Sequence, residues 1–255
     1  MTHPNLKITL LPAFNDNYIF MLEDRNNDRV AVVDPGDAEP VKKWLEDNHK
    51  KLDIILITHH HNDHIGGADE LKKTYSAHVY GPKADLHRIK MIDTALIEDD
   101  NVTFGDITFK VSETKGHTTG HIVYFSDQTK FELNNQTYNT PLLFCGDTVF
   151  AMGCGRLFEG SAQDMFKSFE KIKALPDSTK IFCAHEYTLA NGKFALSIFP
   201  DNQNLIDRME TEKETREKNK PTVPTTLSEE LKTNPFMLAN TADEFGKFRS
   251  LKDNF

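Results

Sequence analysis

The run Ile57-Thr58-His59-His60-His61-Asn62-Asp63-His64-Ile65-Gly66-Gly67 places four histidines and an aspartate within six positions. It contains the pattern H-x-H-x-D-H, after an apolar β-branched stretch and before an amphipathic one. Residues two apart on an extended chain point the same way, so His59 and His61 can face a single ion. Asp63 and His64 fall at the turn into the following helix and can face a second position beside the first. Gly66 and Gly67 let that helix begin close to the site without an obstructing side chain. Imidazole nitrogen and carboxylate oxygen are donors that Zn²⁺ favours and that Fe²⁺ and Mn²⁺ accept, and the absence of cysteine argues against a closed structural zinc site. Two dications close together would bring the pKa of a bridging water near neutrality and polarise a carbonyl oxygen. The developing oxyanion would be held in place, and no serine or cysteine nucleophile would be needed.

The elements that must carry these residues alternate short apolar runs with amphipathic stretches, the grammar of an α/β or α+β domain with a buried sheet. Strands are expected at 7–11, 18–22, 30–33, 53–58, 78–80, 107–113, 121–125, 141–146 and 180–184, several ending in turn residues such as Asp34-Pro35-Gly36. Helices are expected at 40–48, 67–75 and 162–175, the last with Ser161 and Asp164 placed as a capping box. The polar, Asn-rich stretch 128–140 reads as a surface hairpin or loop. After His185 no further strand is expected. Helices follow at 187–198 and 204–218, Pro221 and Pro224 interrupt, Thr226-x-x-Glu229 starts a short helix, and 241–252 forms the last. The mixed charges of 207–220 read as a solvated helix face. A sheet-bearing part, 1–185, is therefore expected to precede a small helical part, 186–255.

The T-H-x-H-x-D-H-x-G-G run resembles the metallo-β-lactamase fold hydrolases. That resemblance implies an α+β fold, an αββα sandwich followed here by the small α-helical domain. It also implies further ligands at strand ends. Gly116-His117-Thr118-Thr119-Gly120-His121 lies 53 residues past His64, Cys145-Gly146-Asp147-Thr148 puts an aspartate 30 residues past His117, and His185 follows 38 residues later. By this resemblance His59, His61 and His117 hold one metal, Asp63, His64 and His185 hold the other, and Asp147 bridges them. Asp63 and Asp147 are then the catalytic carboxylates, serving a metal-bridging hydroxide that acts as the nucleophile. His60 and His121 read as neighbours of the ligands, and Asp34 as a partner that orients a ligand histidine. Cys145, Cys154 and Cys183 read as packing residues.

A closer resemblance is to the hydroxyacylglutathione hydrolase (glyoxalase II) family. It rests on Asp16-Asn17-Tyr18, on Gly153-Cys154-Gly155-Arg156-Leu157-Phe158-Glu159-Gly160, on Ala184-His185-Glu186-Tyr187-Thr188 and on Phe248-Arg249-Ser250-Leu251-Lys252-Asp253. It implies hydrolysis of S-D-lactoylglutathione and related 2-hydroxyacyl thioesters to glutathione and the free acid, the second step of methylglyoxal detoxification. Arg156, Tyr187, Arg249 and Lys252 match the positions that grip glutathione, whose glycyl carboxylate suits guanidinium and ammonium groups. On their own, Arg249 and Lys252 would read as the cationic last turn of a helix. Two positions depart from the family pattern. Phe158 replaces a tyrosine, which removes a hydroxyl contact, and Lys115 replaces a proline, which predicts a less constrained loop before His117. The competing readings are a lactone, β-lactam or phosphodiester hydrolase on the same centre, a mononuclear iron persulfide dioxygenase that also uses glutathione, and a non-enzymatic metal store.

The 255 residues carry 30 basic and 39 acidic side chains, a formal charge of −9, which argues against sequence-independent nucleic-acid binding. The first twenty residues lack the charged and apolar blocks of a leader, and no stretch predicts a membrane anchor. Three scattered cysteines suit a reducing, cytoplasmic setting. A monomer is expected, with a glutathione thioester as its partner and two divalent ions, Zn²⁺ first, as cofactors. Long-range steering of an anion is not expected of an acidic chain; capture would rest on local cations.

Overall fold

The computed structural model describes residues 4–255; Met1 to His3, the start of the segment read as lacking a leader, lie outside the described residues. The chain divides into two compact units. One runs up to Glu113 and resumes at Gly120–Phe144, and the other comprises Thr114–Thr119 and Cys145–Phe255.

Alternating apolar residues build the first unit's strands. The strands β1 (Leu6–Ala13), β2 (Asn17–Asp24) and β3 (Arg29–Val33) form an antiparallel meander. Helix α1 (Ala38–Asp47) then leads to β4 (Ile54–Leu56), and α2 (Asn62–Ile65) with α3 (Ala68–Tyr75) leads to β5 (His78–Pro82) and β6 (Thr94–Leu96). From β3 through β6 the pairing is parallel, with helices making the first two crossovers and a non-α-helical stretch the third. The hairpin β7 (Asn101–Phe104) and β8 (Ile107–Glu113) joins β9 (Ile122–Leu133), which pairs with β10 (Gln136–Gly146). A parallel contact between β1 and β9 makes the sheet continuous.

Odd positions of β2, Ile19 and Met21, face Val41, Leu45 and Leu71 of α1 and α3 in one buried cluster. The intervening Phe20 turns to the other face, where its ring lies 5.4 Å from Phe144 of β10; Phe109 of β8 lies 6.0 Å from Phe144. Period-two alternation thus lets one strand serve two layers. The fold is α+β, a mixed sheet with helices, as the resemblance implies.

The structure moves several expected boundaries. Asp37 caps α1 by accepting from the Glu39 amide, so the helix starts at Ala38, before Pro40. The stretch 128–140 is a hairpin whose tip, Asn134-Asn135, has φ of 50° and 63°, the conformation Asn tolerates best after Gly. β10 begins at Gln136 because the register shifts between Thr140 and Leu142, which accommodates Pro141 within the strand.

In the second unit a two-strand ribbon, β11 (Val149–Phe150) and β12 (Gly153–Cys154), precedes α4 (Ala162–Lys173), whose capping box forms as the sequence predicts. There follow β13 (Lys180–Cys183), α5 (Thr188–Ile198), α6 (Gln203–Glu217), β14 (Thr225–Thr226), α7 (Leu227–Thr233), α8 (Pro235–Leu238) and α9 (Ala242–Asp253). Phe169, Phe236 and Phe245, fully buried on α4, α8 and α9, meet at centroid distances of 5.0 to 6.4 Å. Each such ring contributes about 1.5–3 kcal/mol through burial alone.

Two expectations fail here. A strand does follow His185, since β14 pairs antiparallel with β13. The charged stretch 207–220 is also not wholly solvated. Arg208 is buried and donates to Thr233, Thr225 and Glu230, a carboxylate with no exposed surface. Among the described residues no helix is long and apolar enough to cross a membrane.

Candidate functional site

In the first unit the chain leaves β4 in extended form, and His61, at φ −65° and ψ 144°, precedes α2. The His59 ring centroid lies 4.7 Å from that of His61 and 4.1 Å from that of His64. His59 and His64 are buried. Beneath them stands Asp34, in the left-handed region at φ 48°. Its carboxylate accepts from the Thr58 amide at 2.8 Å and the Thr58 hydroxyl at 2.6 Å, and faces His64 Nδ1 at 3.0 Å.

These contacts set the tautomers. The Thr58 hydroxyl spends its proton on Asp34, so at 3.0 Å it accepts from His59 Nδ1. His64 likewise donates from Nδ1 to the carboxylate. Both rings therefore keep the Nε2 lone pair for a ligand role, the arrangement in which a second hydrogen bond raises a metal-binding histidine's basicity. Asp34 acts as the orienting partner anticipated from its position at a strand end.

Asp63 is held by Asn17, whose amide donates to Oδ2 at 3.0 Å. The loop carrying Asp34 passes so close that a Cβ on Gly36 would sit 1.8 Å from the Asp63 carbonyl oxygen, so only glycine fits there. His60 turns to Asp85 and Arg88, with Nδ1 3.3 Å from the carboxylate. His121 stacks on His59 at 4.7 Å. Both are neighbours, as read from the sequence.

In the second unit His117 places Nδ1 2.8 Å from the Arg156 carbonyl, an acceptor only, so this ring too donates from Nδ1 and presents Nε2. The Asp147 carboxylate stands between two rings, with Oδ2 3.4 Å from His117 Nε2 and Oδ1 3.4 Å from His185 Nε2. The carboxylate thus turns one oxygen toward each ring. Tyr187 stacks on His185 at 4.7 Å and 6°, with Phe150 edge-on to both. A Cβ on Gly155 would sit 2.0 Å from the Asp147 carbonyl oxygen and 3.0 Å from His117 Nδ1. The Ser168 hydroxyl donates to the Lys115 carbonyl at 2.7 Å and ties down the loop before His117. Past His117, Glu159 accepts from the Thr119 amide and hydroxyl, each at 2.9 Å.

A cavity of 420 Å³ in this unit brings Arg156, Tyr187, Arg249 and Lys252 together with His117 and Asp147. Arg249 is buried and donates to the Cys154 carbonyl at 2.8 Å and to Asp253 Oδ1 at 2.9 Å. Exposed Arg156 donates to the same Asp253 oxygen at 3.2 Å. Lys252 lies 5.3 Å and 5.6 Å from the ring centroids of Phe194 and Phe255, and burial, with repulsion from Arg249, holds its ammonium below the ordinary lysine pKa. Phe158 lines the cavity 60% exposed, its ring 5.3 Å from that of His117.

The cysteines are buried, and burial pushes Cys154 and Cys183 up to about 12 and Cys145 well above its ordinary value. None supplies a thiolate at neutral pH. Cys154 lies on β12.

Thr58, Glu159 and Asp253 stand in the motifs quoted above, but sequence reasoning gave them no role, because each acts only through another residue. Asn17 was visible as part of a resembling motif but without its role. Taken unit by unit, the His and Asp side chains fit metal ligation: buried imidazoles with Nε2 presented, an oriented carboxylate, and a carboxylate between two rings.

A family model described as the metallo-beta-lactamase superfamily matches residues 14–131, and one described as the hydroxyacylglutathione hydrolase C-terminus matches 186–255. A hydroxyacylglutathione hydrolase of Pseudomonas savastanoi pv. phaseolicola is 44% identical over 269 residues, covering 98% of this chain and 100% of the relative. One from Pelagibacter ubique is 42% identical over 250 residues, with the same coverage. Among solved structures, ETHE1 from Myxococcus xanthus matches with a TM-score of 0.69 at 21% identity, covering 95% of this chain and 89% of that one. The BLEG-1 B3 metallo-beta-lactamase matches at 0.66 and 24% identity, covering 91% and 100%. These two structures speak to the fold, whereas the family models and full-length relatives show that the chain belongs to the hydroxyacylglutathione hydrolase family of the metallo-β-lactamase superfamily.

Proposed function

We propose that this chain hydrolyses S-D-lactoylglutathione and related 2-hydroxyacyl glutathione thioesters to glutathione and the free acid, the second step of methylglyoxal detoxification. The observation that carries the reading is the single cavity in which Arg156, Tyr187, Arg249 and Lys252 stand with His117 and Asp147. Anion-binding groups sit beside metal-type donors, as an anionic substrate with a reacting carbonyl requires.

In this reading His59, His61, Asp63, His64, His117, Asp147 and His185 hold two divalent ions, Zn²⁺ first and Fe²⁺ or Mn²⁺ as alternatives. Such ions supply a Lewis acid for the thioester carbonyl and a water acidic enough to deprotonate near neutral pH. The chain's own residues do the rest. Asp34 and Thr58 keep His64 and His59 in the ligating tautomer, the Arg156 carbonyl does so for His117, and Asn17 aims Asp63. Buried Arg249 and half-buried Lys252 bind glutathione carboxylate through charge-assisted hydrogen bonds, with Arg156 and Tyr187 at the same wall. Residues 1–185 form the catalytic part and 186–255 the glutathione-binding part of a cytoplasmic monomer.

The test pairs metal analysis of the purified protein with a lactoylglutathione assay. Two ions per chain, turnover, and loss of turnover on chelation with recovery on adding Zn²⁺ are expected. A fully active protein with fewer than two ions per chain would overturn the binuclear reading, and a metal-loaded protein without thioesterase activity would overturn the substrate.

Lys252 adds a pH signature. A lowered pKa means the ammonium is lost earlier as pH rises, so KM for the anionic thioester should climb on the alkaline side, beginning below the ordinary lysine value of 10.5. Lys252→Arg keeps its charge there and should flatten the climb. A wild-type KM that stays level up to pH 10.5 would remove Lys252 from substrate binding.

A further inference from the structure

The most deeply buried charged network among the described residues of the second unit lies away from the cavity, and the activity proposed above does not use it. Glu230 and Asn234 have no exposed surface, and Arg208 is 7% exposed. Glu230 Oε1 accepts from Arg208 at 2.7 Å and from the Thr225 hydroxyl at 2.6 Å. Its Oε2 accepts from the Asn234 amide and from the Met152 backbone N–H, each at 2.9 Å. The Asn234 amide also donates to the carbonyls of Phe150 at 3.2 Å and Gly153 at 2.9 Å. Three main-chain groups of one tight turn, 150–153, are thus satisfied by two side chains, Glu230 from the middle of α7 and Asn234 from the residue after the helix.

That turn needs the support. Met152 occupies the left-handed region at φ 55°, which costs a non-glycine residue of order 1 kcal/mol or more, and the strands it joins are two residues each. A ribbon that short does not hold itself. Yet both arms serve the cavity. Phe150 on β11 packs edge-on to His185 at 5.7 Å and to Tyr187 at 5.3 Å. The carbonyl of Cys154 on β12 is the acceptor that fixes the Arg249 guanidinium.

We propose that Asn234 and Glu230 are positioning residues for substrate binding. They clamp the 150–153 turn so that β12 holds Arg249, and β11 holds Tyr187, in the geometry that receives glutathione. Arg208 holds Glu230 Oε1 at 2.7 Å and so keeps the other carboxylate oxygen aimed at the turn, an opposite charge beside a carboxylate that has left water. Desolvating this pair is costly, and what it gives in return is the fixed position of a six-residue ribbon, 149–154.

The proposal rests on the thioesterase reading, and its test separates the two. Asn234→Ala removes both donors to the turn, whereas Thr233→Val removes a hydrogen bond to Arg208 on the other side of the same network. In the metal-loaded enzyme, Asn234→Ala is expected to raise KM for lactoylglutathione about tenfold with kcat within about threefold of wild type. Thr233→Val is expected to lower Tm while leaving KM unchanged. Binding of S-methylglutathione, which cannot be hydrolysed, should weaken about tenfold in Asn234→Ala by calorimetry. Asn234→Ser, which keeps a donor, should fall between, and it provides the readout if the alanine variant does not fold. An unchanged KM and unchanged S-methylglutathione affinity in a folded Asn234 variant would overturn the clamp, as would equal KM changes in the Asn234 and Thr233 variants. If the wild type bound S-methylglutathione but did not hydrolyse lactoylglutathione, the thioesterase reading would fail while the binding comparison still tested the clamp.

Discussion

Asp147→Asn is expected to leave a folded protein that retains fewer than two metal ions after dialysis and whose kcat falls by more than about 100-fold, the upper end of what losing an outer hydrogen-bond partner costs a metal site. The carboxylate directs one oxygen to His117 Nε2 and the other to His185 Nε2, both at 3.4 Å. The amide replaces one of those oxygens with an NH₂ group, which is a donor and no ligand, and removes the negative charge that the proposed two-ion site would use. Glutathione affinity should be little changed, because Arg249 and Lys252 are untouched. Metal content and kcat measured on the same preparation check this; two retained ions with wild-type turnover would exclude a bridging role.

Arg249→Ala combined with Lys252→Ala is expected to raise KM about 100-fold with kcat changed only several-fold, the signature of lost uniform binding. Hydrogen bonds to charged groups contribute about 1.5–3 kcal/mol, and the buried position of Arg249 keeps water from taking its place. Arg156 is exposed, so Arg156→Ala alone should cost about 1 kcal/mol or less, roughly fivefold in KM. Steady-state kinetics on the two variants rank the Arg249–Lys252 pair against Arg156. A kcat loss larger than the KM change in the double variant would instead place these residues at the reacting carbonyl.

How much could be read in advance depended on whether the interacting residues are close in the chain. The H-x-H-x-D-H run was legible because strand and helix geometry alone put its side chains together. His117, Asp147 and His185 were readable only through resemblance, since a single His or Asp at a strand end carries no periodic signal. The long strands showed in their β-branched runs. β6, β11, β12 and β14, two or three residues each, are too short for a period to register, and they exist because distant groups satisfy them. Met152 receives its acceptor from Glu230, 78 residues away. Arg208 shows the same limit in reverse: its neighbours in sequence are charged, so the stretch read as solvated, and the residues that bury it come from β14 and α7.

Asp253 has a thermodynamic consequence. Its single Oδ1 accepts from both Arg156 and Arg249. An exposed arginine carries about 2 kcal/mol of rotamer entropy, which a ligand must otherwise remove on binding. Here an internal carboxylate restricts Arg156 before any ligand arrives and eases the repulsion between two guanidinium groups on one wall. The two guanidinium groups are therefore ordered before any ligand arrives, and the glutathione binding proposed above should show a smaller entropic penalty than two untethered arginines would impose.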